Sequence, residues 1–241
     1  MKDKNLPTSR AVAPLQAARN APAIPPVRKV LDLLENSYTM TRLGNKQNPL
    51  DELVYVILSL QTNESRYQEV YRSFKKRFPR WSLLLAASVG EIAGAIVLGG
   101  LGRQKASHLK KIMQRLQDDF GDVSLRRLSR YQTSEAEQYL CSLPGVGIKT
   151  ARCVLMYSLG RAVFPADIHC LRIMHRLGWI EWLGQRAELL AEPAQAIVPS
   201  SLREAFHIRL VQHGRSVCRS IPRCDQCVLR SLCPGAMLTR G

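Results

Sequence analysis

Residues 143–151, Leu-Pro-Gly-Val-Gly-Ile-Lys-Thr-Ala (LPGVGIKTA), join two stretches of helical pattern. Pro144 stops the first helix from continuing, because proline lacks an amide proton and its ring crowds the preceding turn. Gly145 and Gly147 permit backbone conformations and close approaches that a Cβ atom would block. The amides of Val146 through Lys149 are then unpaired donors at the start of the second helix, where phosphate binds readily. The segment predicts a helix–turn–helix hairpin that is either an ordinary glycine turn or a phosphate site.

Helical periodicity continues on both sides of this hairpin. Apolar residues recur at helical spacing from Pro25 onward, and Ser88 with Glu91 fits a capping box. Further helices are predicted at 50–61, 64–77, 89–97, 103–119, 134–142, 148–158, 168–176, 186–196 and 201–213. No convincing alternating strand pattern is present, so we predict an all-α protein of about ten helices with short connections.

The charge of the chain favours a polyanionic partner. The formal net charge of the 241 residues is +16, of which residues 1–25 contribute only +3. Segment 101–130 holds eight basic residues against three acidic ones. A folded body with such an imbalance is typical of nucleic-acid-binding proteins, which shifts the interpretation of the hairpin toward phosphate.

Four of the seven cysteines lie near the C-terminus in CRSIPRCDQCVLRSLC. They are Cys218, Cys224, Cys227 and Cys233, with the spacing C-x5-C-x2-C-x5-C. Four thiolates this close in sequence can converge on one centre, either an iron–sulfur cluster or a structural zinc ion. Disulfides are disfavoured, because the N-terminus has no apolar core of signal-peptide length. Spacing alone leaves the choice between iron–sulfur and zinc open.

Residues 1–25 are rich in alanine, proline and polar side chains, and we expect a flexible extension there. No apolar run is long enough to cross a membrane, so we expect a cytoplasmic protein.

The hairpin LPGVGIKTA resembles the helix–hairpin–helix motif of the endonuclease III superfamily of DNA glycosylases. In that family a lysine follows the hairpin and an aspartate follows at a fixed interval, which here are Lys149 and Asp167 of FPADIHCLRIMHRLG. The resemblance extends from about residue 28 to 235. It implies that the four cysteines hold a 4Fe–4S cluster, although the first gap has five residues where the family has six.

The family resemblance also implies a domain organisation. We expect two helical domains with the DNA-binding cleft between them. The first is a six-helix domain at 48–161 that contains the hairpin, and the second is an iron–sulfur domain made of 26–47 and 162–241.

The chemistry implied by the resemblance centres on Lys149 and Asp167. Such an enzyme extrudes its target nucleotide from the duplex before breaking the C1′–N bond. Asp167 would stabilise positive charge that develops on the sugar, and it would also cap the helix beginning at Ile168. Lys149 would attack C1′ and form a Schiff base. We expect the helix N-terminus and partial burial to lower the pKa of Lys149.

Other residues are expected to contact DNA. By resemblance, Gln61 in LSLQTN fills the gap left by the flipped base, and Leu101 in GLGRQKA is an intercalating wedge, with a core leucine as the alternative. Contacts with the DNA backbone are expected from Arg103, Lys105, Gly145, Val146, Gly147, Arg219 and Arg223.

The resemblance implies a base-excision repair enzyme for damaged double-stranded DNA. We expect a monomeric, nucleoid-associated prokaryotic glycosylase and AP lyase that removes oxidised pyrimidines and nicks 3′ to the abasic site. The alternatives are a mismatch-specific or other-base glycosylase of the same superfamily and a weakly catalytic protein that binds DNA lesions.

Overall fold

The computed structural model of the protein describes residues 24–41, 43–62, 64–96, 101–181 and 187–238. These ranges contain no strand, which confirms the all-α prediction. None of the helices described there is long and apolar enough to span a bilayer. The α-helices are α1 (Val27–Glu35), α2 (Pro49–Ser59), α3 (Glu64–Arg77), α4 (Leu83–Ala86), α5 (Val89–Gly94), α6 (Gly102–Phe120), α7 (Thr133–Ser142), α8 (Ile148–Leu159), α9 (Ile168–Arg176), α10 (Ala191–Ile197), α11 (Arg203–Ser216) and α12 (Pro234–Leu238).

Local side-chain caps begin several of these helices, α2 and α5 among them. The Asn48 side chain accepts hydrogen bonds from the amides of Leu50 (3.0 Å) and Asp51 (3.2 Å), which starts α2. The capping box predicted for α5 is confirmed. The Glu91 amide donates to Ser88 Oγ at 3.2 Å, and the Ser88 amide donates to the Glu91 carboxylate at 2.7 Å.

Buried apolar side chains form two separate cores. The first comes mainly from α2, α3 and α5–α8, and it includes the fully buried Leu53, Phe74 and Leu109. The second comes from α1 and α9–α11 with the segment that follows, and it includes Leu31 and Phe206. The exact domain boundaries at residues 48 and 161 stay a prediction.

A buried arginine ties α8 to elements of both cores. Arg152 is 1% exposed and its Nε donates to Glu137 of α7 at 2.8 Å. Its NH1 donates to the Ala191 carbonyl at 2.9 Å, and its NH2 pairs with Glu192, both in α10. Because removing one partner of such a group leaves a buried charge uncompensated, this network fixes the position of α10 relative to α8.

Several predicted helix bounds differ from the structure. Helix α2 ends at Ser59 rather than at 61, because the backbone leaves the helical conformation at Leu60, whose ψ is 128°, and Gln61 follows with a φ of 49°. The helix predicted at 186–196 is a 3-10 turn at Ala187–Leu190 followed by α10, and residue 186 lies outside the described residues. The last predicted residue of the 89–97 helix and residues 1–23 of the expected extension also lie outside them.

Candidate active site

A cavity of about 550 Å³ lies beside the hairpin. Side chains from several parts of the chain meet there, among them the end of α2 and its following turn, the start of α8, the loop into α9, and α11. The lining residues that carry polar chemistry include Asn45, Tyr55, Gln61, Lys149, Cys153, Tyr157, Asp167, His169, His207 and Arg215. The structure therefore brings both predicted catalytic residues to one cavity.

Lys149 is the second residue of α8 and is half-buried. Burial alone would lower the pKa of its ammonium, but ionisable groups near it, Cys153 and Asp167 foremost, outweigh burial and hold the pKa above the ordinary lysine value. At neutral pH the charged member of these two is Asp167. The predicted lowering of the Lys149 pKa is therefore wrong. The prediction considered the helix N-terminus and burial, but not the acidic groups that other elements place around the amine.

Asp167 is the N-cap of α9, as predicted. Its Oδ1 accepts from the amides of His169 (2.9 Å) and Cys170 (3.0 Å). Burial would raise the pKa of this carboxyl, but the charges of His207 and Lys149 outweigh burial, and the net pKa is lowered. Burial lowers the pKa of His207 to about 4, so at neutral pH His207 is neutral and Lys149 is the cation that stabilises the carboxylate.

Two further ionisable groups near Lys149 were not predicted from the sequence. Cys153 is one helical turn beyond Lys149, and burial raises the pKa of its thiol to about 12, so it is neutral at physiological pH. Glu52 is fully buried in α2, and burial raises the pKa of its carboxyl to about 7. It accepts from Asn45 Nδ2 at 2.5 Å and from the Lys46 amide at 2.6 Å. The only sequence signal was a carboxylate at an apolar position of the α2 pattern.

The hairpin has the expected conformation with one correction. Gly145 has a φ of 75°, and a Cβ atom there would lie 2.2 Å from Nδ1 of His108, so both backbone and packing require glycine. A Cβ atom on Gly147 would meet no atom within 4 Å. The Val146 amide donates to the Leu143 carbonyl at 3.1 Å, so the prediction that it is an unpaired donor is wrong. The first amides of α8 remain the candidate phosphate donors.

Gln61 and Leu101 share an uncommon backbone conformation. They are the two non-glycine residues with positive φ among the described residues, at 49° and 58°. Both are exposed, and Leu101 retains 49% of its accessible surface. The alternative that Leu101 is a core leucine is therefore wrong, and its role as a wedge stays a prediction.

The basic residues predicted to contact DNA fall into two groups. Arg103, Arg219 and Arg223 are exposed. Lys105 is 3% exposed, and its ammonium donates to Leu58 O at 2.9 Å and to Thr62 Oγ1 at 2.8 Å. The prediction that Lys105 contacts phosphate is wrong, because the ammonium points into the protein.

All four C-terminal cysteines line a second cavity of about 280 Å³. Arg176 NH1 lies 3.1 Å from Cys218 Sγ, and His213 Nε2 lies 3.4 Å from Cys227 Sγ. Within the described ranges, no three histidine, cysteine or carboxylate side chains stand close enough to hold a metal ion. A common cavity lined by four thiols and hydrogen-bond donors is chemically compatible with a thiolate-held group, and both the presence and the identity of such a group stay a proposal.

The helical fold and the cavity beside the hairpin define the class of helix–hairpin–helix DNA glycosylases. The profile of the HhH-GPD superfamily of base excision DNA repair proteins matches residues 54–200. The chain belongs to this superfamily and, within it, to the endonuclease III family.

Relatives and solved structures agree with that assignment. The chain is 30% identical to endonuclease III of Bacillus subtilis (strain 168) over 187 residues, which cover 77% of this chain and 81% of that protein. The chain is also 35% identical over 170 residues to a protein of Arabidopsis thaliana that is provisionally named a DNA glycosylase. The 170 aligned residues cover 70% of this chain and 58% of that protein. The structure of a non-covalent endonuclease III–DNA complex superposes with a TM-score of 0.77 at 26% identity, covering 88% of this chain and 95% of the other.

Proposed function

We propose that this protein is a bifunctional DNA glycosylase and AP lyase that excises oxidised pyrimidines from double-stranded DNA. The observation that carries the proposal is the presence of Lys149 and Asp167 on one cavity beside the hairpin. A cavity of about 550 Å³ is large enough for an extruded nucleotide. The net charge of +16 supports binding to the DNA backbone.

The two residues have complementary roles in the proposed reaction. The Asp167 carboxylate stabilises positive charge as the C1′–N bond breaks. Lys149 must lose a proton before its nitrogen can attack C1′, and the departing base can accept that proton. Attack forms the C1′–nitrogen bond, the sugar ring opens to a Schiff base, and loss of a proton from C2′ expels the 3′ phosphate by β-elimination.

The test is borohydride reduction of the Schiff base on a duplex with an abasic site. We expect wild type to become covalently bound to DNA, Lys149→Ala to lose this product, and Lys29→Ala to keep it. Lys29 is an exposed lysine of α1 outside the proposed site. Equal trapping by wild type and Lys149→Ala would show that another amine is used. No trapping by either protein, with duplex binding intact, would favour a monofunctional glycosylase or a lesion-binding protein.

A second panel tests the substrate. Duplexes that contain an oxidised pyrimidine, a thymine mismatch or an alkylated base are incubated with the protein, with and without alkaline cleavage. Strand breaks on the oxidised pyrimidine without alkali are the expected result. Preferential release from the mismatch would replace the proposed substrate class by the mismatch-specific alternative.

We also propose that Cys218, Cys224, Cys227 and Cys233 hold a 4Fe–4S cluster. A cluster of this kind would fix the loop between its ligands and so orient the exposed Arg219 and Arg223 toward the DNA backbone. Four irons and four sulfides per chain, with broad visible absorbance, are expected on analysis of the purified protein. One equivalent of zinc without iron would contradict the cluster.

A further inference from the structure

Lys105 lies inside the protein although it belongs to the strongly basic segment 101–130. Its ammonium donates to the Leu58 carbonyl at 2.9 Å and to the Thr62 hydroxyl at 2.8 Å. Leu58 lies in the last turn of α2, where carbonyls lack helical partners, and Thr62 lies in the turn that follows. The Thr62 hydroxyl in turn donates to the Leu58 carbonyl at 2.8 Å, so the three groups form one closed hydrogen-bonded set.

This set connects the two exposed residues with positive φ. Gln61 lies between Leu58 and Thr62 in the sequence, and the Lys105 ammonium donates a hydrogen bond to each of these two residues. On the other side, the Lys105 amide donates to the Leu101 carbonyl at 3.0 Å, which is the first helical hydrogen bond of α6. Lys105 is thus hydrogen-bonded to Leu101 through its backbone amide and to the turn that carries Gln61 through its side chain.

Burying the Lys105 ammonium costs hydration free energy that an apolar side chain at the same position would not lose. Its hydrogen-bond partners in the described part of the chain are a carbonyl and a hydroxyl, not a carboxylate. Burial lowers the pKa of Lys105 to about 8. An apolar side chain of equal length would fill this position without the loss of hydration. Compared with such an apolar side chain, lysine adds directional hydrogen bonds to the turn that carries Gln61.

We propose that Lys105 is a positioning residue that couples the Leu101 tip to the Gln61 turn, so that both enter the DNA duplex as one unit when the base is extruded. The inference rests on the proposed glycosylase function and concerns the opening of the duplex, not the chemistry at C1′. Strained loop conformations persist only where surrounding structure holds them. Without the ammonium, each loop can relax independently, and the gap left by the extruded base is filled less well.

The test compares two substrates that differ only in the need to open the duplex. One carries an oxidised pyrimidine in a paired position, and the other carries it as a single-nucleotide bulge. With Lys105→Met, we expect excision from the paired duplex to fall about 10- to 100-fold, as loss of hydrogen bonds to a charged group implies. Excision from the bulge and Schiff-base trapping at an abasic site should stay within about 3-fold of wild type.

The matched control is Lys110→Met. Lys110 also lies on α6, and its ammonium also donates to two backbone carbonyls, those of Leu85 (3.0 Å) and Ala87 (2.6 Å), away from the Gln61 turn. We expect it to treat both substrates as wild type does. The fluorescence of 2-aminopurine beside the lesion reports unstacking directly and should fall only for Lys105→Met.

Two outcomes would overturn the inference. Either equal excision by Lys105→Met and Lys110→Met on the paired duplex, or an equal loss on paired and bulged substrates, would exclude coupling of the loops. If Lys105→Met does not fold, as shown by its melting curve, Thr62→Val removes the hydroxyl partner alone and should show the same substrate difference at about 3-fold or more. Wild type that excises neither substrate would contradict the proposed function instead.

Discussion

Replacing Asp167 by asparagine separates helix capping from the proposed chemistry. Asparagine keeps the shape of the side chain and an oxygen that can accept the amides of His169 and Cys170, now at 2.9 and 3.0 Å. Asparagine and aspartate are comparably good N-cap residues. The substitution therefore removes mainly the negative charge that faces Lys149.

The expected loss follows from the role of that charge. Removing one preorganised electrostatic group that stabilises a transition state typically lowers kcat by about 10²- to 10³-fold, or roughly 3–4 kcal/mol. We expect a decrease of this size in single-turnover base excision by Asp167→Asn, with duplex affinity within about 3-fold of wild type. Asp167→Ala should lose excision equally, but it should also lose about 1 kcal/mol of stability through the missing cap. That corresponds to a Tm lower by about 2–4 °C for a chain of this size.

Excision, duplex affinity and Tm measured for both variants test this reasoning. If Asp167→Asn excised bases at close to the wild-type rate, the carboxylate charge would have no catalytic role. If Asp167→Asn lost as much Tm as Asp167→Ala and also lost duplex affinity, the residue would serve the structure of α9 rather than the reaction.

Two further predictions concern the hairpin and the buried acid. Gly145→Ala should lower Tm, because the φ of Gly145 is 75° and a Cβ atom there would collide with His108. Gly147→Ala should keep Tm but lower duplex affinity, because the added methyl group has room in the protein but stands where phosphate would approach. An unchanged affinity for folded Gly147→Ala would contradict the phosphate site. The Glu52 carboxyl has a folded-state pKa of about 7, above the ordinary value of 4.5, so the folded state binds the proton more tightly than the unfolded state does. As pH rises from about 4.5 to about 7, wild type should therefore lose about 3 kcal/mol of stability relative to Glu52→Gln. Denaturant unfolding of both proteins across that range measures the difference, and parallel curves would show that Glu52 titrates normally.

Features that depend on local sequence could be predicted. The hairpin, the capping box at Ser88 and the N-cap role of Asp167 each require only a few neighbouring residues. Lys149 and Asp167 lie on one cavity, as expected, because the helix after the hairpin and the helix that Asp167 caps both point their first turns at it.

Features that depend on distant partners could not be predicted. Lys105 was expected at the surface because it lies in a basic segment, but its partners Leu58 and Thr62 are more than 40 residues away in sequence. Positive φ at Gln61 and Leu101 also leaves no sequence signal, because neither residue type favours the left-handed region.

If Lys149 and Asp167 have the proposed roles, the raised pKa of Lys149 affects two reactions differently. These are the excision of an intact base and the formation of a Schiff base with an existing abasic site. Excision of an intact base gains from the carboxylate charge and can use the ammonium proton to neutralise the departing base. Trapping at an existing abasic site expels no base and needs only the neutral amine. Removing the Asp167 charge removes one cause of the raised pKa of Lys149, so it increases the fraction of neutral amine. Asp167→Asn should therefore excise intact bases far more slowly, yet form the Schiff base with an abasic site at a rate that is less impaired. An equal loss in both assays would show that the carboxylate acts on a step common to both, such as opening of the sugar ring.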